Sequence, residues 1–170
     1  MQTKTGGRFD LGRDFGGTGR RLVLVDVENL LGRRYITRAC ASWAAAQVRE
    51  VLDLRPTDQV VVGTSHQENL VAAVIGWQDA RHVFDAGADG AERALLTVLT
   101  ENVADRFTEV VVVSGDHIFT EALAGLAALG VATTVVAQSA RLSQSLRMAA
   151  ERVLCPQIQF FGPVVEGNVA

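Results

Sequence analysis

Lysine is nearly missing from this 170-residue chain: Lys4 is the only one, and every other basic side chain apart from three histidines is arginine. Acidic residues outnumber Lys and Arg by 19 to 16, leaving a net charge of −3, so the protein does not hold nucleic acid by bulk charge alone. A local arginine patch is still allowed. The two cysteines, Cys40 and Cys155, build neither a disulfide framework nor a thiolate metal site, which makes a reducing cytoplasm the expected compartment. No apolar run approaches the roughly 20 residues that cross a bilayer. Met1 to Gly19 is polar and glycine-rich, without the apolar stretch of a secretory signal. A Gly-Lys-Ser/Thr phosphate loop is lacking, as is a Gly-x-Gly-x-x-Gly turn after the first strand, so P-loop and dinucleotide-binding readings fall away. A soluble, cytoplasmic protein with no membrane partner is the expectation.

What is present is an ordinary globular composition, 48% hydrophobic and 21% charged. At this length one domain is expected, able to bury roughly 70% of its unfolded surface. Residues 1–19 read as a flexible N-terminal segment, 20–155 as the folded domain and 156–170 as a tail. Arg21-Leu22-Val23-Leu24-Val25 is a continuous apolar run of the kind found in strands covered on both faces. Further strands are expected at Gln59 to Gly63, Ala80 to Phe84, Glu109 to Val113 and Val131 to Ala137. Between them lie helical patterns at Arg38 to Leu52 (closed by Pro56), Gln67 to Gln78, Ala88 to Ala104, and up to Leu129. Gly130 ends the last of these with a left-handed cap. Ser143 to Val153 reads as a closing helix. Strands alternating with helices imply an α/β fold: a doubly wound, mainly parallel five-stranded sheet with helices on both faces, a Rossmann-like three-layer sandwich.

In such sheets ligands bind beyond the carboxyl ends of the strands, near the switch in strand order. Three acids meet that test. Asp26 ends the first strand in Asp26-Val27-Glu28-Asn29, Asp116 follows the fourth in Ser114-Gly115-Asp116, and Asp89 opens the helix after the third. Hard oxygen ligands without His or Cys suit Mg²⁺ or Mn²⁺, which bridge to phosphate oxygens and activate water for in-line displacement. Each acid also has a plainer reading. Asp26 and Asp89 can simply cap helices, and Ser114-Gly115-Asp116 can be only a tight turn.

Taken in order, these motifs, with His117-Ile118-Phe119 after Asp116 and the Gly130-Val131 and Ser143 to Val153 segments, resemble the NYN branch of the PIN-like nucleases over about Leu22 to Val153. The resemblance implies a metal-dependent ribonuclease acting on RNA, with Asp26, Asp89 and Asp116 as metal ligands. It further implies that Asn29 orders the loop or touches the scissile phosphate, and that Ser114 presents its hydroxyl to the cleft. Two positions depart from the family pattern. Ile118 stands where another acid is common, and Asp85, Gly87 and Ala88 occupy the place of a common lysine. A catalytically weakened RNA-binding or protein-assembly module on the same fold is therefore the alternative. A haloacid-dehalogenase phosphatase would need an aspartate where Glu28 stands.

Glu92 shares a helix face with Asp89 and can supply the missing carboxylate, although an exposed helical acid is the favoured reading. Glu28 either reaches the cleft or solvates its loop. Arg33 and Arg34 sit where a phosphate backbone would pass, as does Arg141 after the fifth strand. His66 and His117 follow strand ends without a specified role. Trp43 and Trp77 read as core or interface residues. Phe160-Phe161 can dock on the domain or on a neighbour, which leaves a homodimer or a protein partner open.

Overall fold

Unbroken valine and leucine runs become the strands of a wholly parallel sheet. The computed structural model describes residues 19–157. The N-terminal segment before Gly19, and the tail from residue 158 with Phe160 and Phe161, lie outside the described residues. Within them the chain runs β1 (Arg21–Asp26), α1 (Val27–Leu31), α2 (Arg38–Leu52), β2 (Gln59–Thr64), α3 (Gln67–Gly76), β3 (Arg81–Phe84), α4 (Gly90–Leu99), α5 (Val103–Arg106), β4 (Glu109–Val113), α6 (Thr120–Ala128), β5 (Ala132–Val136), α7 (Gln144–Ala149) and β6 (Arg152–Leu154). Single 3₁₀ turns occur at His117–Phe119 and Ser139–Arg141. The strand order is β3-β2-β1-β4-β5-β6, and each pairing is parallel. The chain winds outward from β1 to β3, then crosses back beyond β1 to start β4. The switch in direction therefore falls between β1 and β4.

Alternate residues of each strand feed two separate cores. Val23, Val25, Val62, Val111 and Val113 pack beneath α2 and α3 with Ala41, Ala44, Ala45, Val48, Ala73 and Trp77. Leu22, Leu24, Val61, Val110, Val112 and Val135 pack beneath α4 to α7 with Leu95, Phe119, Leu123 and Leu146. The alanines of α2 let that helix lie close to the sheet. Burial on both faces explains why these strands read as continuous apolar runs and not as alternating ones.

Three details differ from the sequence reading. The sheet has six strands, not five, because the closing helix stops at Ala149 and Arg152–Leu154 pairs with β5. The expected long helix over Ala88 to Ala104 is two, α4 and α5, since Asn102 takes a left-handed backbone conformation at φ 52°. The segment after Asp26 forms the short helix α1, with Asp26 as its N-cap.

At the amino edge of the sheet a buried ion pair ties the chain together. Arg21, the first residue of β1, is fully buried and pairs with Asp58 while donating to the Leu52 carbonyl at 3.1 Å. Asp58 also accepts the Arg55 backbone N–H at 2.8 Å and its guanidinium at 3.0 Å. Burial pushes the Asp58 carboxyl up, but the bonds from Arg21 and Arg55 more than offset this and hold it below the usual carboxylate range. A carboxylate with a lowered pKa stabilises the fold above the ordinary pKa and loses that contribution as pH falls through the lowered value. Asp58→Ala leaves a buried guanidinium without its carboxylate and should cost about 3–5 kcal/mol at neutral pH. Urea unfolding should show that deficit shrinking in acid, and a deficit independent of pH would contradict the assignment.

Candidate functional site

Asp26 is the last residue of β1 and is almost wholly buried, 1% exposed, at the switch between β1 and β4. Its Oδ1 accepts the Asn29 N–H at 3.0 Å, which caps α1. Its Oδ2 faces the Ser114 hydroxyl at 3.4 Å. These donors compensate only part of the cost of burying a charge. Burial, followed by the charge of Glu92, raises the Asp26 pKa well above the usual carboxylate range; the Asn29 amide works against them.

The loop after β4 is bound to α1 and to the segment after β5. Asn29 Oδ1 accepts the Gly115 N–H at 3.1 Å, and Ser114 Oγ accepts the Asp116 N–H at 3.3 Å. The Gly115 carbonyl accepts the Ser143 N–H at 2.9 Å. A Cβ at Gly115 would lie 2.3 Å from the Arg141 carbonyl oxygen, so the two loops meet only because this residue is glycine. Asp116 is partly exposed, accepts the Ile118 N–H at 3.0 Å through Oδ1 and has His117 Nδ1 at 3.2 Å. Ile118 packs against the core beneath α4 to α7.

Glu92 is the acid that joins these parts. It stands in the first turn of α4, half-buried, and near enough to Asp26 for its charge to raise the Asp26 pKa. Burial raises its pKa, and the charges of Asp116 and Asp89 raise it further. Gly63 makes the approach feasible. It is the cross-strand neighbour of Asp26, and a Cβ there would lie 2.6 Å from the Leu95 side chain and 2.9 Å from the Ala91 carbonyl oxygen. The first turn of α4 thus rests against the sheet beside Asp26. The favoured reading of Glu92 as an exposed helical acid is corrected. Asp89 lies exposed on the rim at φ 54°, and among the described residues it makes no side-chain capping bond.

Glu28 faces the end of β2. It accepts the Ser65 N–H at 2.9 Å and the Asn69 amide at 2.7 Å, and it also bonds the Ser65 hydroxyl. Burial pushes its carboxyl up, but Asn69, Ser65 and then the His66 ring bring it below the usual range. Of the arginines, Arg33 is half-buried with Nη1 3.6 Å from Cys40 Sγ. Arg34 is exposed and donates from Nε to His66 Nε2 at 3.3 Å. Arg141 is exposed, with its guanidinium against Gly32 at the end of α1. Sequence reasoning passed over Tyr35 and Asn69. An isolated tyrosine between two helices gives no periodic signal, and the partners of Asn69 are 33, 35 and 41 residues away.

The acidic set consists of hard oxygen donors at one edge of the sheet. Yet among the described residues no three carboxylate, imidazole or thiolate groups are gathered closely enough to cage a metal ion. The expected trio of Asp26, Asp89 and Asp116 is therefore not a preformed cage, since Asp89 is on the rim and Asp116 spends one oxygen on its own loop. This donor set fits a divalent ion held by one or two carboxylates that keeps several waters, which is the habit of Mg²⁺.

A carboxylate pair with raised pKa binds protons more readily folded than unfolded, so the fold loses stability as pH climbs through that range. Asp26→Asn removes one charge and keeps an oxygen for the Asn29 N–H. Without divalent metal it should raise the melting temperature at neutral pH by about 2–4 °C, equivalent to ~1 kcal/mol in a domain of this size. The gain should vanish in acid, where the wild-type pair is protonated. A lower melting temperature at neutral pH would show that the acidic pair is not strained.

No family model and no curated protein matches this chain. Among solved structures it is similar to a protein of unknown function from Vibrio parahaemolyticus, with a TM-score of 0.58 and 16% identity over 84% of this chain and 95% of that one. That likeness concerns the fold: a six-stranded parallel sheet flanked by helices.

Proposed function

We propose that this chain is a metal-dependent ribonuclease of the NYN, PIN-like kind, acting at the carboxyl edge between β1 and β4. The observation that supports the reading is that Glu92, beside the buried Asp26, also feels the charges of Asp116 and Asp89: four acids from three segments, the end of β1, the start of α4 and the loop after β4. A fold does not gather like charges around a buried carboxylate for stability, so a cationic occupant is the natural reason to keep them. Of Asp26, Glu92, Asp116 and Asp89, one or two would hold Mg²⁺ or Mn²⁺ directly, and the others would act on it through its waters. Such an ion would supply an activated water and neutralise charge on the phosphoryl oxygens. Asn29 and Ser114 keep Asp26 and the Asp116 loop in position, while Arg33 and Arg34 give the RNA backbone its cationic contacts. The second reading is an RNA-binding module on the same fold. It is favoured by Ile118 turning into the core and by the lack of a ready cage among the described residues.

Cleavage of a mixed panel of labelled RNAs in Mg²⁺ or Mn²⁺ separates the two. Asp116→Asn and Glu92→Gln should each lower the cleavage rate by about a hundredfold, roughly 3 kcal/mol of transition-state stabilisation, with much of the RNA affinity kept. Replacing Arg33 and Arg34 together should weaken binding and reduce its salt slope by roughly 0.7 per lost phosphate contact. Wild-type protein that binds RNA tightly and cuts nothing with either metal would leave only the binding module.

A further inference from the structure

Beside the acids, on the β2 side of the same edge, an exposed aromatic ring is held in place more firmly than its exposure requires. Tyr35 is the only tyrosine in the chain and is 61% exposed, in the loop between α1 and α2. A scattered exposed aromatic is ordinary and by itself means little. Here the backbone on both sides of the ring is pinned by one fully buried side chain: Asn69 Oδ1 accepts the Ile36 N–H at 2.9 Å, and Asn69 Nδ2 donates to the Arg34 carbonyl at 2.8 Å. The same Nδ2 donates to Glu28 at 2.7 Å, which fixes the Tyr35 loop relative to α1 and its capping residue Asp26.

The surroundings of the ring suit a flat, electron-rich ligand near a phosphate. His66 stands edge-on to Tyr35, with centroids 5.3 Å apart and planes at 62°. The Arg34 guanidinium lies 5.5 Å from the Tyr35 centroid and bonds His66 Nε2. The His66 ring is steadied from the other side by Ser65 Oγ, 2.9 Å from Nδ1. Ser65 in turn lies against the start of α4, where a Cβ on Gly90 would come 3.1 Å from the Ser65 Cβ. Aromatic rings with an arginine beside them are how proteins stack unpaired bases while meeting the backbone. In a duplex those base faces are already stacked and out of reach.

We propose that Tyr35, His66 and Arg34 form a base-stacking subsite that selects unpaired RNA strands, with Asn69 as the residue that positions it. The proposal rests on the ribonuclease or RNA-binding reading for its ligand, and not on cleavage. A base stacked on Tyr35 places the following phosphates over Arg34 and toward the acids around Glu92.

Fluorescence anisotropy on the full chain without divalent metal tests it, using a single-stranded 12-mer RNA, the same backbone with abasic sites, and the matching duplex. Wild-type protein should bind the single strand about tenfold or more tighter than either comparison strand. Tyr35→Ala should lose that margin, and Tyr35→Phe should keep most of it. An unchanged circular dichroism melt for Tyr35→Ala would exclude misfolding, as expected for an exposed side chain. Equal binding of the base-bearing and abasic strands, or no loss in Tyr35→Ala, would overturn the subsite while leaving cleavage to be judged on Asp116→Asn. A preference for single strands in a protein that cuts nothing in Mg²⁺ or Mn²⁺ would support the subsite and remove the nuclease. Self-association that Tyr35→Ala abolishes, with RNA binding intact, would overturn it in favour of a protein interface.

Discussion

Asp26 is a carboxylate buried where the sheet changes direction, and most of the local architecture can be understood as a response to it. The crevice exists because β1 is flanked by β2 on one side and β4 on the other, with crossovers leaving in opposite directions. A charge placed there needs donors. It takes an N–H from the first turn of α1 and a hydroxyl from the loop after β4. The same helix then sends Asn29 to the Gly115 N–H, so the helix cap, the β1 end and the β4 end form one hydrogen-bonded unit. Gly115, lacking a side chain, admits the Arg141 segment and extends the unit to the chain after β5.

Glu92 adds a second charge to a carboxylate that burial already disfavours. Burial already raises the Asp26 pKa despite a donor on each oxygen, and the charge of a second acid beside it raises it further, so a proton or a cation is favoured there. The approach is built in by Gly63, which sits beside Asp26 in the sheet and lets the first turn of α4 rest there. A larger residue at Gly63 would relieve the repulsion by lifting α4 away. The close approach of helix and strand thus works against stability at the one place where charge is concentrated, as expected when a site is kept for what it binds. The amino edge follows the opposite rule: the buried carboxylate there, Asp58, is matched by two arginines.

The sheet was legible because β1, β2, β4 and β5 are covered on both faces and must be apolar throughout. Where that condition fails, so does the pattern. Arg152–Leu154 is a three-residue edge strand with an exposed first residue, and its neighbours carry a helical spacing that runs straight through it. The break at Asn102 depends on one backbone angle that composition does not reveal. At the site, the strand-end acids were readable from their position after apolar runs. Glu92 was not, because its spacing to Asp89 is equally that of a solvated helix face. What decides its environment is how closely α4 approaches β2, a tertiary distance set by a glycine 29 positions earlier in the numbering. Glu28 was left between two roles, and its partners Ser65 and Asn69 settle it as the brace between α1 and the end of β2.

The carboxyl edge is consequently divided by charge along its length. The acids Asp26, Glu92, Asp116 and Asp89 occupy the centre and the α4 side, while Arg33, Arg34 and Arg141 border the loop ends around α1. A chain with net charge −3 that spends nearly all its positive charge as arginine can still present a cationic border, because position and not total charge governs the local field. Arginine suits the place better than lysine would. Its planar guanidinium can bond His66 through Nε and lie near the Tyr35 ring at once, which a point-charge ammonium cannot do together. Glu28 lies between the two groups: its carboxylate is hydrogen-bonded to Ser65 and Asn69 at the end of β2, and its charge still adds to the raised pKa of Asp26.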